Sequence, residues 1–345
     1  MLVDILNLEV ESVVNDLKGQ KILIYGSNGT GKTRQSMNFE KPLLLMSEAG
    51  GSAIVGKKTA VTDWATFVHI VNTLTNDKTR EEAQKQYQTI ILDTVESFVY
   101  LSEEAICKEF NVRDLSEMND KKDIYGKQLP NGYLLARNSF RQQINKLSMY
   151  GYTVVFITHE EVAAKIDEFT GEAKPFIIPF KTENEKSSNR FVRDLADFTF
   201  YIRSNGLDPE TNKPLLSTAI CQETSYAFAR SRYDFMPVEI NPFTAENVTK
   251  HILEAIKKDT ENQNGTLKTF ELNLDKQNVD QVKELIKPVM AKLFNFYPDK
   301  VQEIVVGQLG QGGKVSEATE EHIENLKSIY VQLRGLADDR GVIVE

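Results

Sequence analysis

Over its first three quarters the chain gathers apolar residues into short runs separated by amphipathic stretches. Residues 21–25 (KILIY), 42–46 (PLLLM), 89–93 (TIILD) and 153–157 (TVVFI) are too short for typical helices. They are rich in branched or long apolar side chains and bounded by turn residues, which predicts buried strands. Between them, residues 63–74 (DWATFVHIVNTL) and 136–149 (ARNSFRQQINKLSM) repeat apolar positions at helical spacing. Strands alternating with helices predict an α/β core with a mostly parallel central sheet, flanked on both faces by helices. Residues 198–203 (FTFYIR) and 215–222 (LLSTAICQ) are expected to extend that sheet. In residues 161–180, apolar positions flank a polar, glycine-containing centre at 168–174, the pattern of a hairpin projecting from the core.

The pattern changes near residue 259. Residues 259–266 (DTENQNGT) are polar, contain a glycine and follow a predicted helix over 245–257, which reads as a linker. The expected division is a core at 1–258, the linker at 259–266, and a small helical C-terminal region at 267–345 that offers a place for a partner. Within that last region 278–296 and 317–336 read as helices, separated by the glycine-rich 307–313 (GQLGQGG).

Charge and composition narrow the classes. The chain has 345 residues and a formal net charge of −9, with 41% hydrophobic and 26% charged residues, as in an ordinary globular protein. No apolar run approaches the roughly 18 residues of a membrane span. The first residues, MLVDILNLEVESVV, carry acids where a secretory leader has a basic start. Cys107 and Cys221 make no disulfide framework or zinc pair. A cytoplasmic protein without membrane contact is expected. The acidic balance argues against a protein held to nucleic acid by bulk charge alone, so any such contact has to come from local basic clusters.

The densest chemistry lies after the first strand. Gly26-Ser27-Asn28-Gly29-Thr30-Gly31-Lys32-Thr33 fits GxxxxGK[ST] at every fixed position, between a predicted strand and a predicted helix start. Glycines let several backbone N–H groups converge on a phosphate, and the helix start adds partial positive charge. Lys32 is expected to reach the β- and γ-phosphates and the Thr33 hydroxyl to bind Mg2+. Asp93 ends the apolar strand TIILD at its carboxyl edge, where ligands bind in open α/β sheets, and is expected to hold the same ion. Glu48 follows the second strand at that edge and is the favoured general base toward the γ-phosphate of ATP; Glu96 competes for the role. His159, after the fourth strand, is a candidate sensor of the γ-phosphate. Arg230 and Arg232, spaced i and i+2 in a strand-like segment, point the same way. Arginines so placed serve surface ion pairs, or reach the phosphates of a neighbouring subunit, which would require a homo-oligomer.

One basic cluster spans residues 113–146, where seven Lys or Arg face four Asp or Glu. It holds Lys121, Lys122, Lys127 and Arg137, interleaved with Tyr125, Tyr133 and Phe140. Cations among aromatic rings suit single-stranded DNA, whose bases stack on rings. A second cluster contains Lys186 and Arg190. Neither carries a sequence-reading module.

Together, GSNGTGKT, MSEAGG after the second strand, Trp64, TIILDT, VVFITHE and ARSRY resemble the RecA-like P-loop ATPases. They are most similar to the phage-encoded AAA-type group that includes single-strand annealing and recombination ATPases. The resemblance covers about residues 10–240. It implies a RecA-like core, ATP and Mg2+ as cofactors, Glu48 as the base, and paired cations such as Arg230 and Arg232 given to the adjacent subunit of a ring or filament. It also implies ATP-dependent binding of single-stranded DNA with annealing or pairing of strands, in the cytoplasm of a bacterial host. DNA-binding loops are then expected after the third and fourth strands. A helicase or helicase loader uses the same physics. A small-molecule kinase, or a nucleotide-dependent assembly module recruiting a single-strand-binding protein, is a more distant alternative.

Overall fold

The central sheet is covered on both faces, and its strands are therefore written as unbroken apolar runs rather than alternating ones. The computed structural model describes residues 12–47, 54–76, 78–119, 121–122, 128–166, 170–180, 190–270, 279–319, 322–340 and 342. The chain enters through β1 (Val13–Val14) and β2 (Lys21–Gly26), turns into the short helix α1 (Lys32–Ser36), and continues as β3 (Pro42–Met46) and β4 (Lys58–Ala60). Helices α2 (Trp64–Thr75) and α3 (Arg80–Gln86) precede β5 (Thr89–Asp93), and α4 (Val95–Glu109) and α5 (Gly132–Met149) precede β6 (Thr153–Ile166). Then come β7 (Ala173–Pro179), α6 (Arg190–Leu195), β8 (Phe198–Arg203), β9 (Thr218–Ile220), β10 (Arg230–Ser231), β11 (Glu239–Ile240) and α7 (Ala245–Asn262).

The strand order is β11-β9-β8-β2-β6-β5-β3-β4. The strands from β8 to β4 are parallel, while β9, β10 and β11 are antiparallel additions at one side. The expected α/β architecture is borne out. Alternate residues of one strand feed opposite layers. Leu23, Leu45, Leu92 and Phe156 pack under α2, α4 and α5 with Phe67, Phe98 and Phe140. Ile22, Leu44, Ile91 and Val155 face the other way, onto Val248, Ile252 and Ile256 of α7. Each such fully buried side chain stabilises the fold by about 1.5–3 kcal/mol.

Two features beyond the sheet matter for function. Strand β6 continues past its neighbours, and residues 160–166 pair antiparallel with 173–179 of β7, giving the expected hairpin beyond the carboxyl edge. Helix α5 has 18 residues, about 27 Å of helix, and the Phe140 ring stands 6.4 Å from that of Phe156. Its first turns therefore also pass the carboxyl edge, carrying the segment between α4 and α5 with them.

Helix α7 runs on through Asn262, so half of the segment expected as linker is helical. The rest leads into β12 (Leu267–Lys268), which pairs parallel with β1. Phe270 then lies over Gly151, whose φ is +84°; a Cβ there would meet the ring at 2.6 Å. Among its described residues, the C-terminal region holds three α-helices, α8 (Val279–Phe294), α9 (Pro298–Leu309) and α10 (Ile323–Asp339). Helix α9 is absent from the sequence expectation; Pro298 starts it, and it runs through Gly307, which had been read as part of a glycine-rich break. The three share a core of Val282, Ile286, Leu293, Val301, Leu326, Ile329 and Leu333. Helix α10 packs on α5 as well as on its own neighbours. Among the described residues, no helix is long and apolar enough to cross a membrane.

Candidate active site

The loop between β2 and α1 is shaped by three glycines. Gly26 has φ +153°, and a Cβ there would stand 2.5 Å from the Ile202 carbonyl oxygen, so the strand end needs a bare backbone to pass β8. Gly29 and Gly31 hold φ of +79° and +83° with open space where a Cβ would be, which leaves the inside of the turn free for a phosphate. The Thr30 hydroxyl donates to the Ser27 carbonyl oxygen at 2.9 Å, and Ser217 donates to the Thr30 carbonyl oxygen at 2.9 Å from beside β9. Sequence reading carried no signal for the Ser217 prop.

Lys32 is 6% exposed, and its ammonium donates to the carbonyl oxygens of Gly26 at 2.7 Å and Ser27 at 2.8 Å. Burial pulls its pKa below the usual lysine value, while Asp93, Glu160 and Glu96 pull it back up. The Thr33 hydroxyl donates to Asp93 Oδ2 at 2.7 Å, joining the loop to the end of β5. Asn28, Gly29, Thr30, Gly31, Lys32, Thr33, Asp93 and His159 line a single cavity of about 320 Å³. A charged donor at the end of a glycine cradle, with a hydroxyl and a carboxylate side by side, fits a nucleotide phosphate with a divalent ion.

From β6, Ile157 and His159 line this cavity, with Thr158 between them and Glu160 next in the chain. His159 stands in register with Gly26 and is exposed. Thr158 is buried, and its hydroxyl donates to the Glu96 carboxylate, whose Oε2 is buried without a hydrogen-bond partner among the described residues. Burial pushes the Glu96 carboxyl up, and the Thr158 hydrogen bond partly opposes the shift. Glu160 accepts the Ser27 hydroxyl at 2.5 Å. The Tyr201 hydroxyl has its pKa pushed up to about 12, by burial first and then by the nearby Glu160 carboxylate. The Ser27–Glu160 and Thr158–Glu96 pairs join residues far apart in sequence, so spacing alone could not have found them.

The other expected site residues fall in several places. Glu48 lies outside the described residues; the chain before it ends at Ser47, whose N–H donates to the Asp93 carbonyl oxygen at 3.3 Å. Arg230 and Arg232 lie at the amino end of β8, since β10 pairs Arg230 with Thr199, so they are on the opposite edge from the phosphate loop of their own chain. Arg232 pairs with the 5%-exposed Asp197 at 3.0 Å, and Lys21 reaches the same carboxylate at 3.3 Å. Tyr125, Lys127 and Lys186 are outside the described residues, and of Arg190 only the backbone, opening α6, is described. Lys121 donates to the Asn111 carbonyl oxygen at 3.2 Å and pairs with Glu117 at 3.7 Å, while Lys122 is exposed. Arg137 is half-buried on α5. Phe140 is no stacking platform: it is fully buried among Trp64, Phe156 and Phe191, because Ala136, Phe140, Ile144 and Leu147 form the inner stripe of α5.

Residues 18–233 match a family described as the AAA domain. A relative from Bacillus subtilis (strain 168), the SPbeta prophage-derived uncharacterized protein YorG, is 32% identical across 97% of this chain and 99% of its own length.

Proposed function

The chain belongs to the AAA-domain family, and from that premise we propose that it is a magnesium-dependent ATPase of recombination that binds single-stranded DNA and promotes annealing or pairing of strands. The observation that carries the reading is the shared edge. The phosphate loop, Asp93 and His159 line one cavity at the carboxyl end of the sheet, and both the β6–β7 hairpin and the α4–α5 segment project beyond that same end. A chain that needs ATP to grip or release a strand needs its nucleotide site and strand-facing elements to be mechanically close.

In this reading Lys32 leaves the Gly26 and Ser27 carbonyls to hold the terminal phosphates, and Thr33 and Asp93 are the pair that would hold the ion. Magnesium, when bound, supplies charge neutralisation at the transferred phosphoryl group. Glu48 is assigned as the general base and His159 as the sensor whose position reports the γ-phosphate to the hairpin. Lys121, Lys122, Tyr125, Lys127 and Arg137, with Lys186 and Arg190, are assigned to the strand. Arg230 and Arg232 face a neighbouring subunit of a ring or filament; for Arg232 this means giving up Asp197. The C-terminal helices are assigned to a partner such as a single-strand-binding protein.

The test is ATP hydrolysis with and without single-stranded DNA, alongside Glu48→Gln. Stimulation by DNA that disappears in the variant supports the reading. Joining of complementary oligonucleotides is then expected, whereas directional strand separation would favour a helicase or helicase loader. Hydrolysis indifferent to DNA would overturn the DNA-dependent part.

A further inference from the structure

Among the groups around the phosphate cavity, Glu96 is the buried carboxylate whose neighbours define a role of its own. Strand β6 is inserted between β2 and β5, so its last residues stand between the phosphate loop and Asp93. The backbone hydrogen bonds of the parallel sheet run out there: His159 is the last residue of β6 in register with β2, and Ile157 the last in register with β5. Something else has to fix the Thr158 hydroxyl, because a buried donor without an acceptor costs about 1–3 kcal/mol. Glu96 accepts it. It sits in the first turn of α4, three residues past Asp93 at the end of β5, so one strand-to-helix turn carries the ion-side carboxylate and the brace for the strand end.

We propose that Glu96 is a positioning residue for ATP hydrolysis, holding Thr158, and through it the adjoining His159 at the phosphate cavity, rather than taking a proton from water. The inference rests on the ATPase reading above. His159 and Asp93 line the cavity and Glu96 does not, so its carboxylate acts through Thr158 and the His159 that follows it. Its coulombic link to Lys32, weaker than those of Asp93 and Glu160, is consistent with a place behind the cavity wall. The sequence had offered Glu96 as a rival base, and the geometry points to a different task. A base must change its proton count during turnover; a brace only has to accept hydrogen bonds, which a glutamine carbonyl also does.

That difference sets the experiment, on the full chain with Mg2+ and ATP. Glu96→Ala should lower kcat by about 30- to 100-fold with KM within about threefold, the loss expected for a displaced catalytic wall. Glu96→Gln should return kcat to within about fivefold of wild type, because the acceptor is restored without a titratable group. Thr158→Val, close to isosteric, should lower kcat and add little to Glu96→Ala, since both remove the same bond. A second readout is independent of turnover: the His159 imidazole signals of histidine-labelled protein should move in Glu96→Ala and stay near wild type in Glu96→Gln. A glutamine variant as inactive as the alanine variant would make Glu96 a base and overturn the proposal. So would an alanine variant with unchanged kcat, fully additive losses, or imidazole signals indifferent to Glu96. Should the wild type bind ATP without hydrolysing it, the ATPase reading falls, and the imidazole signals alone decide whether Glu96 holds His159.

Discussion

The Thr33 hydroxyl reaches Asp93 Oδ2 at 2.7 Å although β2, which leads through the loop into Thr33 on α1, and β5, which ends at Asp93, are not neighbours. The bond bridges the end of β6. It closes the two phosphate motifs over the strand that supplies His159, and it puts every group of the cavity wall on the ends of rigid strands or on the loop they anchor. Side chains so mounted keep their geometry when charge develops on a substrate, which is where most catalytic stabilisation comes from.

Asp93→Asn tests that arrangement. An amide oxygen can still accept the Thr33 hydroxyl, so the fold should lose little, within about 1 kcal/mol by denaturant titration. The negative charge is gone, so magnesium-dependent hydrolysis should fall by about 100-fold or more. A variant with wild-type turnover would remove Asp93 from the ion site.

Gly26→Ala separates backbone demand from chemistry. Its φ of +153° is outside the range L side chains readily adopt, and the added methyl would stand 2.5 Å from the Ile202 carbonyl oxygen. Because the obstacle is backbone in the middle of the sheet, relief requires moving β8. A destabilisation of about 1–3 kcal/mol is expected, with loss of nucleotide binding. An unchanged thermal midpoint would mean that the β2–β8 contact is looser than its geometry.

How much of this was legible in the chain follows from the range of each interaction. The phosphate loop and the Asp93 strand were readable because local rules fix them: a motif of eight consecutive residues, and an apolar run of five. The parallel sheet followed from runs with no polar alternation. Phe140 was misread because its charged neighbours Arg137 and Arg141 hid the i, i+4 stripe Ala136–Phe140–Ile144 that buries it. Helix α9 was missed because Gly307 looked like punctuation, yet the shared core with α8 and α10 outweighs the roughly 1 kcal/mol that glycine costs a helix. Glu96 with Thr158, Glu160 with Ser27, and Ser217 with Thr30 are products of topology, invisible until β6 is known to lie between β2 and β5.

The raised Glu96 carboxyl predicts a pH signature in stability. Burial makes the folded chain hold this proton to higher pH than the unfolded chain does. The folded state thus binds more protons over the interval between the two values, and stability declines as pH rises through it. The contribution is complete below the ordinary glutamate value of about 4.3 and is lost as pH passes the folded value. Glu96→Gln does not ionise, so its thermal midpoint should gain on wild type as pH rises from the ordinary glutamate value to the folded one, and hold a constant lead above it. A lead that shrinks with rising pH would contradict the burial of this carboxylate.

Besides the packing of α10 on α5, a cation ties the C-terminal helices to the core. Arg340, with 10% of its side chain exposed, pairs with Glu109 at the end of α4, and its guanidinium lies 5.4 Å from the ring centres of Phe110 and Tyr297. One planar cation therefore joins α4, the turn before α9 and the end of α10. Glu109 is 39% exposed, so water screens the charge when its partner is lost, and Arg340→Ala should cost about 1–3 kcal/mol, below the range for a fully buried pair. The loss should be local. Amide exchange should quicken in α10 and in the turn before α9, because these elements lose their tie to α4 while their own core of Ile286, Leu326 and Leu333 stays intact. Hydrolysis of ATP should be retained, since Arg340 touches nothing that lines the phosphate cavity. Exchange that quickens across β2 and β5 as well would show the C-terminal helices to be part of the core's own cooperative unit.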